Sequence, residues 1–524
     1  MDTPLLAYRV LAIAPLGIQP DSGEGKHIRW FRGESVDEII AELGISTRVS
    51  VPRDMHEDGC LDLTFQSFRD FRPDKILFTN EFTKRIKEAR DLAHKALREG
   101  RDKNQVIAGL RQVPGLERLD FSTTTKSSPS SGKNSSSVEE ILKMVAIPDE
   151  QRKGREASRD ILEPIDALLG QYLAAFYGSE TLRRLESAWT GVKILSTTAR
   201  GTENVEIGFV DCTDTPLEEI LDSLLASLPL DLPSLILFDS SFDNTPRSFA
   251  LLEKIAELCG MLLVPGVVEV SPKFLGLEAW DELHKRPYLP HYLQEQAYAK
   301  WQSLKKKPDA QWLCACCNRL LARLRYGAEI ASREIPFSER EYLWVSPVWG
   351  MGALSIQSMA KWGWPSRITD WRNCRLEDLP VRQVSAKAAF STEAAFGEDR
   401  VAQFAKAGII VLSSMPNTDV AFVPFDNTVG MTSLGFQLLL CTSAQFLMWC
   451  RDHFADDLPM SEIESGIRDI LTLIWHKKGY DISDKIDVRM GKMDKEGKAV
   501  VGLNLELPRE VLPRGGTISL EMPW

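Results

Sequence analysis

The spacing of apolar and polar residues changes period several times along the chain, and each change marks an element. RVLAIAPLGI, residues 9–18, is almost unbroken apolar sequence and predicts a buried strand. SVDEIIAELGI predicts a short helix that starts at Ser35 and stops at Gly44. TRVSV and LDLTFQSF alternate with period two, placing Leu61, Leu63 and Phe65 on one face of a half-buried strand. PDKILFTNEFTKRIKEARDLAHKALREG then reads as a single helix running to Gly100. This order predicts a small α+β unit.

The same reading changes the picture beyond residue 150. SRDILEPIDALLGQYLAAFYGSETLRRLESAWTGVKIL is helical in pattern. VEIGFVD, PSLILFD and GMLLVPGVVEV read as short buried strands, with helices LEEILDSLLASL and FALLEKIAELCG between them, so this part is expected to be an α/β core. The chain closes on three alternating runs, carried by Ile486, Val488, Met490, then Leu503, Leu505, Leu507, then Ile518, Leu520, Met522. A strand at the end of a sheet leaves one row of backbone groups unpaired.

Between the two parts lies STTTKSSPSSGKNSSS, residues 122–137, whose Ser, Thr, Gly and Pro bury too little surface to offset ordering. It reads as a flexible linker. After it, SVEEILKMVAIP spaces Ser137 and Glu140 as a capping box and sets Val138, Ile141, Leu142 and Val145 on one helical face before Pro148. A helix of three turns is marginal alone in water, so it either docks on its own domain or enters a partner's groove.

Composition bounds the function. At 524 residues with 44% apolar content the chain can bury real cores, and a net charge of -11 argues against a general nucleic-acid binder. No apolar run reaches the ~18 residues that span a bilayer. With no signal-peptide pattern at the N-terminus, the expected location is the cytoplasm. Nine cysteines are an odd number for a disulfide framework and read as reduced thiols.

Candidate chemistry is sparse. Gly25-Lys26 has Pro20 where a phosphate loop needs its first glycine and His27 where it needs a hydroxyl, so the segment reads as a solvated turn. Cys314, Cys316 and Cys317 have no second ligand pair nearby and read as small fillers of a buried element. The histidines form no HExxH, and neither GxSxG nor a complete GxGxxG is present. No catalytic, cofactor-binding or metal-ligating constellation emerges.

Two stretches resemble known families, one on each side of the linker. SVDEIIAELGISTRVSVP with LDLTFQSFRDFRPDKI, including Asp70, Phe71, Pro73 and Asp74, is similar to the small subunit of the type VI secretion contractile sheath. IDALLGQYLAAFYGSETLRRLESAWTGVKIL, with Leu185, Glu186, Trp189 and Gly191, resembles the large sheath subunit. So does EYLWVSPVWGMGALSIQSMAKWGWPSRITDWRNCRLEDLP, with Trp344 and Trp364, while LLARLRYG fits loosely because Arg325 stands where the family has proline.

The resemblance implies a natural fusion of both subunits: residues 1–121 small-subunit-like, 122–137 linker, 138–180 an N-terminal helical region, 181–430 a large-subunit-like α/β core, and 431–524 helices and strands. The implied fold is contractile tail-sheath-like, α/β and α+β, with mixed sheets flanked by helices and C-terminal antiparallel strands. Implied partners are further copies of the chain in a helical homopolymer, an inner tube protein, baseplate components and an AAA+ unfoldase, with no cofactor, nucleic acid or inserted membrane. The unfoldase would take the helix of Val138, Ile141, Leu142 and Val145. Thr517, Ile518, Ser519, Leu520, Glu521 and Met522 are expected either to pair with a neighbouring protomer or to complete their own domain.

Two departures stand out. Only Met1 to Ala7 precede Tyr8, where the family has an arm strand, and the large-subunit part is short. They leave open a sheath-like cap or assembly factor that does not polymerise. A third reading is an α/β enzyme using Glu186 and Trp189, against which stands a buried glutamate that caps a helix or pairs with an arginine.

Overall fold

The computed structural model describes residues 7–18, 28–117, 119, 121, 149–228, 232–332, 335–455, 458–493 and 499–524. The chain forms two compact units: Met1–Glu42, Leu185–Leu324 and Tyr342–Trp524 make the larger, Leu43–Arg184 and Arg325–Glu341 the smaller. The units cut across a division at the linker, because the strand Tyr8–Ala14 belongs to the larger one.

That strand is buried on both faces and sits inside a seven-stranded sheet. The strands run in the order Ile409–Val411, Leu313–Cys317, Gly266–Val270, Leu235–Phe242, Tyr8–Ala14, Val205–Asp211, Trp30–Phe31. All neighbours are parallel except the last pair. From Tyr8–Ala14 the chain goes first to one side, at Val205–Asp211, and then to the other, at Leu235–Phe242. Such a reversal opens a crevice at the carboxyl ends of the flanking strands.

Val192, Leu195, Leu237 and Leu354 are buried on the helices and strand that meet where Glu180–Ala199 and Pro347–Trp362 pack beside the sheet. A Cβ at Gly191 would lie 2.2 Å from the Trp349 ring, and one at Gly352 would lie 2.6 Å from Leu237. Only glycine allows these approaches. A second core joins helices Leu434–His453 and Met460–Lys477 to the antiparallel strands Ile486–Met493, Ala499–Leu507 and Gly516–Pro523. The alternation expected there holds in register, with Leu503 opposite both Val488 and Leu520, and Leu505 opposite both Ile486 and Ile518.

The smaller unit sets the hairpin Ile45–Ser50 and Cys60–Phe65 with the helices Glu81–Arg98 and Asp149–Gly178. Leu61, Leu63 and Phe65 are buried, as their period required. Arg90 clamps the two helices through both Asp166 oxygens, at 2.8 and 3.3 Å.

Two expected elements differ. The helix expected from Pro73 to Gly100 is broken into Pro73–Ile76 and Glu81–Arg98. Asn80 causes the break: its Oδ1 accepts from the Phe82 N–H and its Nδ2 donates to the Asp62 carbonyl, an N-cap competing with continued helix. Gly260, Met261 and Leu262 end the helix Pro246–Leu262 instead of opening a strand; left-handed Leu263 at φ 53° stops it and the strand begins at Gly266. The linker and the helix of Val138, Ile141, Leu142 and Val145 lie outside the described residues.

Candidate functional site

The crevice at the sheet's carboxyl end is where an open α/β sheet most often takes a ligand. Here a side chain of the protein fills it. Asp211 ends its strand and turns its carboxylate onto the loop leaving Ala14, accepting from the N–H groups of Leu16 at 2.8 Å, Gly17 at 3.3 Å and Ile18 at 3.0 Å. Thr213 Oγ1 accepts a further bond from Gly17 N–H and donates to Asp211. These are the backbone donors a phosphate would need. The Asp211 carboxylate holds them instead, while the Gly25-Lys26 segment read as a solvated turn lies outside the described residues.

Among the motif residues, Trp189 meets that loop directly. Trp189 is fully buried and its Nε1 donates to the Leu16 carbonyl at 2.9 Å. Three residues earlier on the helix, Glu186 meets the Arg323 guanidinium as a bidentate pair, at 2.6 and 3.0 Å, with side chains 5% and 15% exposed. Leu185 is buried, and Gly191 lets the Trp349 ring lie against the helix backbone. Ser187 donates to the Trp344 carbonyl, while the half-buried Trp344 ring lies under the Arg382 guanidinium, 5.3 Å from its centroid. Trp364 stacks on Trp475 with centroids 4.1 Å apart.

The small-subunit motif is equally structural. Asp70 accepts from the N–H groups of Gln66 and Ser67, both at 2.8 Å, and so shapes the turn. Phe71 stacks on Phe65 at 4.3 Å and its carbonyl accepts from the Tyr177 hydroxyl. Pro73 opens the next short helix at its first turn.

The remaining candidates are inert by environment. Cys314, Cys316 and Cys317 are fully buried on one strand, and burial pushes their thiols well above the usual range, so they stay protonated. Among the described residues, no group of three or more His, Cys, Asp or Glu is placed to hold a metal ion. Glu269 is a buried carboxyl that sequence did not single out. Burial raises its pKa against the opposing pull of Arg319, and Ser241 Oγ lies 3.4 Å away. Arg319 is itself committed to Glu393 as a bidentate pair at 2.7 and 2.8 Å.

The terminal strand exposes a different kind of surface. Gly516–Pro523 pairs along its length with Ala499–Leu507, and it is the outer strand of a three-stranded sheet. Ile518 is fully buried, Leu520 and Met522 are half-buried, and Thr517, Ser519 and Glu521 are exposed. The strand therefore completes its own sheet through one edge and turns the other outward. Ile486–Met493 is the opposite outer strand.

Fold and site together define an α/β protein whose signature residues are spent on packing and loop fixation. Residues 233–429 match the family model VipB, described as EvpB/VC_A0108, tail sheath N-terminal domain. The type VI secretion system sheath protein TssC1 of Pseudomonas aeruginosa is 24% identical over 293 residues, covering 50% of this chain and 59% of the relative. The chain thus spans less than two thirds of the length of the curated relative it matches. Solved structures resemble it more distantly. The contracted helical sheath of the anti-feeding prophage has a TM-score of 0.35 at 10% identity, covering 61% of this chain and 78% of that one. The sheath tail protein Lin1278 of Listeria innocua has a TM-score of 0.30 at 11% identity, covering 58% and 59%. The family model and the curated relative are both sheath proteins, and the residues matched by the family model lie within 181–430.

Proposed function

We propose that this chain is a structural protomer of a contractile type VI secretion sheath, polymerising around an inner tube and contracting to expel it. The observation that carries the reading is the tail sheath domain match over residues 233–429. It is reinforced by signature residues that hold loops and helices together and do no chemistry. Head-to-tail contacts that do not close give open helical assemblies, and a strand added to an open sheet edge holds neighbours together through large rotations. The outward edge of Gly516–Pro523 suits that role, with Thr517 to Met522 as the pairing segment. The energy of contraction would reside in a metastable extended packing, with no nucleotide hydrolysed by the sheath.

In the finer reading both sheath subunits are fused in one chain, with residues 1–121 supplying the small-subunit part. Its partners would be copies of itself, an inner tube protein, baseplate components and an AAA+ unfoldase in the cytoplasm. The test is co-expression with the inner tube protein followed by electron microscopy for sheathed filaments. A second reading is a non-polymerising cap or assembly factor. Deleting the gene separates the two: loss of all sheath fibres supports the protomer, and fibres that persist indicate the accessory role.

A further inference from the structure

Where the second core meets Tyr8, Asn204 and Ser234, the larger unit holds a partly open cavity of about 210 Å³. Its walls join Trp364 stacked on Trp475, Leu471 and Ile518 with the polar side chains of Ser234 and Thr442. One cation enters it. Lys478 follows the end of helix Met460–Lys477, and its ammonium donates to the Gly363 carbonyl and lies 3.7 Å from the centroid of the Trp364 ring.

The bond to Gly363 has a structural purpose. Gly363, at φ +71°, caps the helix Pro347–Trp362, and a cation suits the negative end of that helix. That bond uses one of three ammonium donors. Among the described residues no carboxylate lies within ion-pair distance of Lys478; Glu203, also on the cavity lining, is exposed. The buried Trp364 indole Nε1 has no acceptor either. A buried indole N–H without a partner costs free energy that an acceptor would return, and beside its bond to Gly363 the Lys478 ammonium keeps further donors for a ligand. Burial lowers the lysine pKa to about 8, which leaves the ammonium form predominant at neutral pH.

We propose that this cavity binds a small monocarboxylate bearing one aromatic ring, its ring against Trp364 and Trp475 and its carboxylate on Lys478. The size agrees: a protein cavity of about 150 Å³ accommodates one benzene ring, so the space here suits a ring with a short acidic arm. The proposal is independent of the sheath reading, because it rests on this cavity alone.

The test uses the full-length protein and three probes of one shape, 3-phenylpropionate, 3-phenylpropan-1-ol and 3-phenylpropylamine, titrated by ligand-observed NMR at neutral pH. The carboxylate is expected to bind saturably, about tenfold tighter than the alcohol, the size of one charge-assisted hydrogen bond, and the amine weakest. K478M should remove that tenfold preference while keeping alcohol binding. Ala360 lies exposed on the cavity lining, so A360F should block both ligands with the thermal midpoint unchanged, a check that does not depend on K478M folding. Equal affinity for carboxylate and alcohol, no saturable binding of any probe, or carboxylate binding unaffected by A360F would each overturn the proposal.

Discussion

At the scale of single residues, the signature positions hold the larger unit together through a few buried polar contacts. Glu186 and Arg323 show how much rests on one pair. Removing one partner of a buried pair leaves a desolvated charge and typically costs about 3–5 kcal/mol. Glu186→Ala should therefore lower the unfolding free energy by about that amount in urea titrations. Replacing both residues with Leu and Met should recover most of it, since no charge is then stranded. A loss below about 1 kcal/mol in the single variant would mean that the pair is solvated in solution. The arginine partner for Glu186 was foreseeable in kind but not in identity. Nothing in LLARLR distinguishes Arg323 from Arg325, which bonds instead to Glu329. Asp211 was less legible still. Its role depends on Tyr8–Ala14 and Val205–Asp211 being sheet neighbours, which no local pattern announces.

At the scale of elements, period and capping signals were read well where one signal dominated. Ser35 and Glu38 form the capping interaction that starts the helix Val36–Leu43, and Gly44 at φ +62° ends it. Where two signals competed, the reading failed. The helical period runs on across Leu77–Asn80, yet the Asn80 cap prevails because its side chain accepts from the Phe82 N–H and donates to the Asp62 carbonyl of the hairpin. The terminal strand was legible as a strand, with pairing to a neighbour and completion of its own domain both open, and Ile518 is buried in its own core. Deleting residues 517–524 should therefore cost folding stability as well as assembly. A proline scan through residues 519–522 separates the two effects, because successive N–H groups of an edge strand point alternately to its partner and outward. Alternate positions should abolish pelleting of assemblies while leaving the thermal midpoint within a few degrees. If every proline that blocks assembly also unfolds the protein, the outward edge is not the contact. The tethered segment gives another prediction. A 137–150 peptide should bind the unfoldase N-domain, and Asp at Ile141 and Leu142 should weaken it by at least about tenfold, because two apolar anchors become charges. Equal binding by both peptides, or by neither, would assign the helix to its own domain.

At the scale of the whole molecule, the strand Tyr8–Ala14, which precedes residues 122–137, lies inside a sheet whose other strands mostly follow them. Tyr8–Ala14 pairs on one side with Val205–Asp211 and on the other with Leu235–Phe242, so the larger unit draws on both sides of the linker. The sheet would have a gap between Val205–Asp211 and Leu235–Phe242 without this strand, a requirement that the proposed fused protomer meets within one chain. The alternating strands and helices announced an α/β core, but not the strand order, because the tether between sheet neighbours exceeds any local window. The central claim is that one chain supplies a complete repeating unit of a contractile sheath. The most direct test is a cryo-EM reconstruction of the full-length protein co-expressed with its inner tube protein. The account predicts helical filaments in which each repeating unit is filled by a single chain, with Gly516–Pro523 beside a strand from a neighbouring protomer. Monodisperse monomers alone at high concentration, or filaments requiring a separate small subunit, would contradict it.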